Sequence, residues 1–302
     1  MAQKSLIHSF LCILPVTCWK EIKKTKTLTG IQIGLNNCQR IYRIQNTEYE
    51  IQIETRIRMQ HAVIQVKEQD NYRVKEAYRT LRTNIEFCGS DIKVIAVTSC
   101  TPNEGKSSVA VNMAMAMAEA GKKVMLIDAD LRKSVLVGRY KGQNIKLGLT
   151  HCLAGRAEFA DVMCSTNNDN LFMIFSGPVP PNPSELLGSK MFQMILQSAK
   201  KAFDYVIVDT PPLGSVIDGA IVARQCDGTM MVVESKAVSY RFVQQIKDQL
   251  SKAECRILGV VLNKVDMSSN GYYGNYGKYY GKYYGKYYGK YGKEAEAEEA
   301  GE

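Results

Sequence analysis

Six short, almost uniformly apolar runs recur along this chain, separated by segments of helical pattern. They are residues 93–98 (KVIAVT), 124–128 (VMLID), 170–176 (NLFMIFS), 205–209 (YVIVD), 230–234 (MMVVE) and 257–263 (ILGVVLN). A strand with one wet face alternates apolar and polar side chains, so a run that is apolar throughout must be covered on both faces. The intervening stretches supply the cover. Residues 106–120 form a strong helix stopped at Gly121, which suits a C-cap. Residues 190–202 and 240–253 are also helical, and 73–87 place Val74, Ala77, Tyr78, Leu81 and Ile85 on one face. Strands and helices in alternation predict an α/β fold, a mostly parallel central sheet flanked by helices.

Four regions follow. Residues 1–58 are an atypical N-terminal extension, 59–90 a helical segment, 91–266 the α/β domain, and 267–302 a tyrosine-rich tail. In the extension, residues 49–57 alternate apolar and polar side chains like an exposed strand, yet nothing nearby supplies a partner. We expect the native protein to begin near Met59, with residues 1–58 dispensable or an artefact of start-site choice. The apolar stretch 6–16 is interrupted by His8, Ser9 and Pro15, falls short of the roughly 20 residues needed to span a bilayer, and precedes no small-residue cleavage site.

Charge and cysteine narrow the function classes. The net charge of +9 includes nine basic against four acidic residues in 1–58, while the last 31 residues hold five Lys and five Glu. The middle, 59–271, therefore carries only +4, too little to mark a nucleic-acid surface. Nine cysteines without a CxxC pair argue against a disulfide framework or zinc ribbon and for a reducing compartment. Ten of seventeen tyrosines lie between Tyr272 and Tyr291, with YYGK units starting at Tyr279, Tyr283 and Tyr287 and an acidic end EAEAEEAGE. Rich in Gly and without aliphatic residues before that end, this tail cannot build a core and is expected to be flexible. Its balanced Lys and Glu also argue against a single-stranded nucleic-acid ligand.

Three motifs follow three of the strands. Ser99-Cys100-Thr101-Pro102-Asn103-Glu104-Gly105-Lys106-Ser107-Ser108 closes the first strand and opens the first strong helix. There, backbone N–H groups and the helix dipole make an anion site, Lys106 neutralises the β- and γ-phosphates and Ser107 ligates Mg²⁺. Cys100 stands where the usual pattern has its first Gly. Asp128 and Asp130 follow the second strand in VMLIDADLRK, and Asp209 ends YVIVDTPP. Ligands bind at the C-terminal edge of a parallel sheet, so a phosphate cradle and three carboxylates meet there. The site is read as one for Mg²⁺ and a nucleoside triphosphate in a P-loop NTPase fold.

The motifs, their order and the tail resemble the bacterial tyrosine kinases of the capsule and exopolysaccharide family, the CpsD/CapB type, over about residues 70–291. SCTPNEGKSS resembles that family's Walker A form, IDADLR its Walker A′ and VIVDTPP its Walker B. Glu76, Arg79 and Arg82 match its ExxRxxR signature, which the resemblance associates with packing of subunits into a ring.

The resemblance implies ATP and Mg²⁺ as cofactors and a role in controlling polysaccharide polymerisation and export. Pro102, Asn103, Glu104, Gly105, Lys106, Ser107, Ser108, Arg132 and Asn263 are the expected nucleotide-binding residues. Lys106, Asp128 and Asp130 are the expected catalytic ones, with Ser107, Asp128 and Asp209 on the metal side. The choice of Asp128 or Asp130 as the group that orients or deprotonates the acceptor stays open, as does Arg132 as a stabiliser of transferred charge or the partner of a carboxylate. The implied phosphoacceptors are Tyr272, Tyr273, Tyr276, Tyr279, Tyr280, Tyr283, Tyr284, Tyr287, Tyr288 and Tyr291, phosphorylated in trans. The implied partners are a transmembrane activator on a separate chain (a polysaccharide co-polymerase) and a tyrosine phosphatase. The implied location is the cytoplasm, with recruitment by the activator to the inner face of the plasma membrane. The rival class is a ParA/MinD-type partition or positioning ATPase. Those proteins carry a second Lys early in the loop, where Thr101 stands, and MinD-like chains end in an amphipathic helix instead of YYGK repeats.

Overall fold

The computed structural model describes residues 60–67, 71–140 and 145–265, all within Gln60–Glu302, the second of two units into which the chain divides. The expectations for residues 1–58 and for the tail tyrosines lie outside the described residues.

Eight strands form one sheet in the order β1-β4-β5-β3-β6-β2-β7-β8. The six parallel ones are β2 (Val94–Ser99), β3 (Val124–Asp128), β5 (Leu171–Ile174), β6 (Tyr205–Asp209), β7 (Gly228–Glu234) and β8 (Ile257–Asn263). They are the six apolar runs of the sequence. β2, β3, β6 and β7 are buried along nearly their whole length, as two-sided cover requires. β8 departs from that expectation: it is the edge strand, and its Val260 and Leu262 are exposed.

Successive side chains of β2 point to opposite faces. Ile95 and Val97 join a core with Met113 and Met117 of α2 (Lys106–Glu119) and Ile85 of α1 (Tyr72–Glu86). Thr98 faces the other way, toward Gly219 of α7 (Asp218–Ala223), where a Cβ would come within 3.1 Å of its hydroxyl. α2 is apolar almost all round and is accordingly buried along most of its length. The outer helices are amphipathic: α6 (Lys190–Ala202) buries Phe192, Ile195, Leu196 and Ala199, and α8 (Tyr240–Lys252) buries Ile246 and Leu250. Asn71, Ser189 and Ser239 cap α1, α6 and α8 through side-chain oxygens. Three short helices, α3 (Val135–Arg139), α4 (Leu149–Leu153) and α5 (Pro183–Leu187), lie in the connections. Among the described residues no helix is long and apolar enough to cross a membrane.

The structure adds two strands at one edge. β4 (Cys164–Thr166) pairs antiparallel with β5, and β1 (Gln60–Ile64) pairs parallel with β4. β1 falls inside the stretch read as a helical segment, so residues 59–90 contribute a strand as well as α1. Three residues in β4 are too few to show any period.

Central strand β2 is staked where it begins. Asp227 Oδ2 accepts the N–H groups of Lys93 at 3.0 Å and Val94 at 2.8 Å, and Lys200 pairs with the other oxygen. Burial alone would raise the Asp227 carboxyl, but the Lys200 ammonium and the two N–H donors outweigh it and hold it below the usual range. We expect Asp227→Ala to cost about 1–3 kcal/mol in chemical denaturation at pH 7. Because the folded value lies below the unfolded one, the contribution is present above about pH 4 and fades as pH falls through the folded value. The gap between wild type and variant should therefore narrow toward pH 3.

Candidate functional site

β2 ends at the middle of the sheet, and residues 100–105 turn the chain into α2. Asn103 and Gly105 hold left-handed backbone, with φ of 69° and 87°. At Gly105 a side chain is excluded twice, by that conformation and because a Cβ would lie 2.3 Å from Asn263 Nδ2. Gly105 caps α2 without a side-chain bond, which leaves the first-turn N–H groups of Lys106, Ser107 and Ser108 to an external anion.

The loop is shaped from behind. Glu104 is buried, its Oε2 accepting Thr101 N–H at 2.6 Å and its Oε1 Glu234 N–H at 3.2 Å. From the end of β8, Asn263 Nδ2 donates to the Glu104 carbonyl at 2.9 Å. Lys264 Nζ donates to the Asn103 carbonyl at 2.8 Å and to Glu234 Oε2 at 2.9 Å. The Glu104 carboxylate and this Asn263 N–H are thus spent on the loop itself, while Pro102 and Asn103 lie exposed on its outer turn. On the other side, Leu213 and Gly214 N–H donate to the carbonyls of Ser99 at 2.9 Å and Cys100 at 3.1 Å.

In front of the loop, one lysine pairs with two carboxylates and a third stands beside them. Lys106, a residue 8% exposed, places its Nζ 3.2 Å from Ser107 Oγ, 3.5 Å from Asp130 Oδ2 and 3.9 Å from Asp209 Oδ1. Asp128 and Asp209 are direct partners across the β3–β6 ladder. Asp128 accepts the Ser134 hydroxyl and, at 3.2 Å, Asp130 N–H, while Asp130 accepts Lys133 N–H at 3.0 Å. Burial pushes Asp128 up to about 7, Asp209 and Asp130 add to the rise, and Ser134 opposes it. Burial also raises Asp209, to about 6, against the pull of Lys106 and the Ser107 hydroxyl.

Asp209 Oδ1 is buried and accepts no hydrogen bond among the described residues. An orphaned carboxylate oxygen beside a hydroxyl, in a site with surplus negative charge, fits a hard divalent cation. Among the described residues no three His, Cys, Asp or Glu side chains form a ready cation cage. Mg²⁺ needs none, because it commonly keeps waters and takes phosphate oxygens beside one or two protein ligands.

Arg132 is engaged elsewhere. Its Nε and Nη2 reach Asp218 Oδ2 at 2.7 Å and Oδ1 at 3.1 Å, and Nη2 reaches Ser184 Oγ at 3.0 Å. Glu76 and Arg79 pair with each other at 2.6 Å on the exposed side of α1, whereas Arg82 turns to the Ala116 carbonyl of α2 at 3.0 Å. Sequence reasoning missed four contributors. Ser134 both caps α3 and holds Asp128, Arg139 Nη2 reaches Ser108 Oγ at 3.0 Å, Lys264 ties down the loop, and Asp218 holds Arg132. Ser134 left a detectable trace, a cap-forming residue six positions after Asp128.

Residues 92–258 match the AAA domain family. The tyrosine-protein kinase CpsD of Streptococcus pneumoniae is 46% identical over 211 residues, covering 68% of this chain and 93% of that protein. The crystal structure of the chimerical protein CapA2B2 superposes with a TM-score of 0.62 at 33% identity, covering 68% of this chain and 93% of that one. The cell-division ATPase MinD of Pyrococcus furiosus superposes less well, with a TM-score of 0.51 at 26% identity over 59% of this chain and 74% of that one.

Two outcomes test the geometry. At Gly214 a Cβ would lie 2.3 Å from the Cys100 carbonyl and 2.9 Å from Phe242 Cζ. Gly214→Ala should displace the loop and weaken nucleotide binding about tenfold or more by calorimetry. Asp128 and Asp209 have folded values above their unfolded ones, so their contribution to stability is greatest below about pH 4 and is lost as pH rises through 6 and 7. Without divalent cation, Asp128→Asn should therefore stabilise the fold at pH 8, by on the order of 1–2 kcal/mol, and much less at pH 5. A thermal melt series across that range would show it.

Proposed function

Because this chain belongs to the CpsD-type bacterial tyrosine-protein kinases, we propose that it transfers the γ-phosphoryl group of ATP to tyrosines of its own tail. The observation that carries this reading is a phosphate loop and three buried carboxylates on one sheet edge, in a chain that also holds ten tyrosines between residues 272 and 291. The nearest rival is a positioning ATPase. Its case is weaker, because Thr101 stands where that class has its second lysine and the likeness to MinD is lower than to CpsD.

Phosphoryl transfer depends on positioning and charge neutralisation more than on covalent help. The free N–H groups at the start of α2 bind phosphate oxygens, and Lys106 neutralises their charge from a nearly water-free position. Ser107 and Asp209 would hold Mg²⁺, which would offset charge on the transferring group. A phenol of pKa near 10 needs a nearby base or strong field. Asp128, raised to about 7, is tuned close to neutrality, where a general base is effective, and Asp130 stands between it and Lys106. Glu104, Asn263 and Lys264 keep the loop in its binding shape.

The wider role is part of the same proposal. The tail of one subunit enters the site of the next within a ring packed through α1, and a separate membrane protein recruits and activates the kinase at the inner face of the membrane. Each phosphotyrosine adds about −1.5 to −2 charges, so a phosphorylated tail repels its neighbours and the ring loosens. A phosphatase resets it, and the cycle controls polymerisation and export of capsular or extracellular polysaccharide.

Purified full-length protein with Mg²⁺ and ATP, alone and with the cytoplasmic segment of a candidate activator, tests the core claim. We expect phosphate on residues 272–291 by mass spectrometry, reduced at least about 100-fold in Lys106→Met. ATP hydrolysis without phosphotyrosine, activator present, would move the chain to the positioning ATPases.

A further inference from the structure

The segment 129–133, which follows directly on Asp128 at the end of β3, carries Asp130, one of the three carboxylates of the site, but belongs to no helix or strand. Much of its bonding is internal. Asp128 accepts Asp130 N–H at 3.2 Å, Asp130 accepts Lys133 N–H at 3.0 Å, and Leu131 N–H donates to the Ala129 carbonyl at 3.0 Å. Such a segment can hold its own shape and still shift as a body against the phosphate loop. Its first residue is tied to β6 by Ala129 N–H on the Asp209 carbonyl at 2.8 Å. Its far end is tied by Arg132.

The Arg132 tie has an unusual construction. Asp218, 0% exposed, takes two guanidinium N–H donors, and the Ser184 hydroxyl donates to the same carboxylate at 2.6 Å while accepting from Arg132 at 3.0 Å. Arg132 follows β3, Ser184 lies in the first turn of α5 after β5, and Asp218 opens α7 after β6. These are three neighbouring strands, β5-β3-β6, whose exit loops all converge on one carboxylate. The loop bearing Asp218 is itself stitched to the phosphate loop by Leu213 and Gly214 on Ser99 and Cys100. A chain of bonds therefore runs from the phosphate loop through residues 213–218 to Arg132 and back to Asp130, two residues away. A fully buried carboxylate is retained only where charge and hydrogen bonds compensate it, and here Arg132 and Ser184 do so.

We propose that Asp218 and Ser184 are positioning residues for phosphoryl transfer, holding Arg132 as a strut that fixes Asp130 relative to Asp128, Lys106 and the phosphate loop. On this account Arg132 works as a scaffold, because its guanidinium is already spent on a buried carboxylate. The inference rests on the kinase reading for its main readout, but ATP hydrolysis reports on the same alignment.

Asp218→Asn keeps the shape and removes the charge that holds Arg132. In full-length protein we expect kcat for tail phosphorylation to fall about 10- to 100-fold, as a misplacement on the scale of an ångström does, with KM for ATP and the affinity for a fluorescent ATP analogue within about threefold of wild type. Ser184→Ala, which leaves the Arg132–Asp218 pair in place, should show the same split more mildly and serves if Asp218→Asn fails to fold. Arg132→Lys should restore part of the kcat lost in Arg132→Ala. Unchanged kcat in a folded variant, or parallel loss of kcat, nucleotide affinity and melting temperature as from general damage, would overturn the proposal. If wild type hydrolyses ATP without making phosphotyrosine, the kinase reading fails instead, and the same kcat-against-KM comparison on hydrolysis decides the strut.

Discussion

Asp128 and Asp209 are direct neighbours across a parallel ladder, both almost wholly buried, with Asp130 beside them and Lys106 paired to Asp130 and Asp209. Parallel strands have to end together on one edge, so the same geometry that gathers the site also forces like charges into contact. Two unit charges about 4 Å apart at an effective dielectric near 20 repel by about 4 kcal/mol. The fold tolerates this because Asp128 and Asp209 are held toward the protonated form and because N–H and hydroxyl donors converge on Asp128. The residual negative charge suits the edge to a hard cation that takes phosphate oxygens beside one or two protein ligands.

The phosphate loop shows the complementary arrangement. Its phosphate-facing groups are left free, while side chains behind it are fully occupied. Glu104 links the loop to β7, Asn263 and Lys264 link it to β8, and Gly214 seals it against the loop after β6. Three strands thus hold a six-residue turn in which Asn103, a non-glycine in left-handed backbone, would otherwise be costly to maintain. Pre-arranged N–H donors need no reorganisation when an anion arrives, which is where such sites gain their strength.

The legibility of this chain from sequence followed the range of the interactions. Strands buried on both faces write their burial into every residue, so VMLID and YVIVD were readable to the residue, and with them the edge where Lys106, Asp128 and Asp209 meet. ILGVVLN was legible as a strand, but at the sheet's edge its apolar run did not mean two-sided cover. β4 has three residues and no period, so the strand it shares with β1 could not be seen. Loop contacts were equally silent. Arg132 pairs with Asp218 across 86 positions, and Asn263 meets Glu104 across 159. Nothing local distinguishes those side chains from solvated ones. Glu104 illustrates the cost of motif reading, since a residue inside a phosphate-binding pattern spends its carboxylate on the protein.

The tail leaves the fold at a telling place. Lys264, one residue before the last described position, is bonded to the outer turn of the phosphate loop. From the end of β8 to the end of β3 is four strand spacings, about 19 Å at 4.8 Å each. Tyr272 is seven residues beyond Val265, which spans at most about 24 Å of extended chain, and every later tyrosine has more slack. Reach alone therefore allows a subunit's own site, and a preference for a neighbour's site has to come from assembly. If, as proposed, subunits pack into a ring through α1, with its exposed Glu76–Arg79 pair and its inward Arg82, then weakening that packing should turn transfer between subunits into transfer within one.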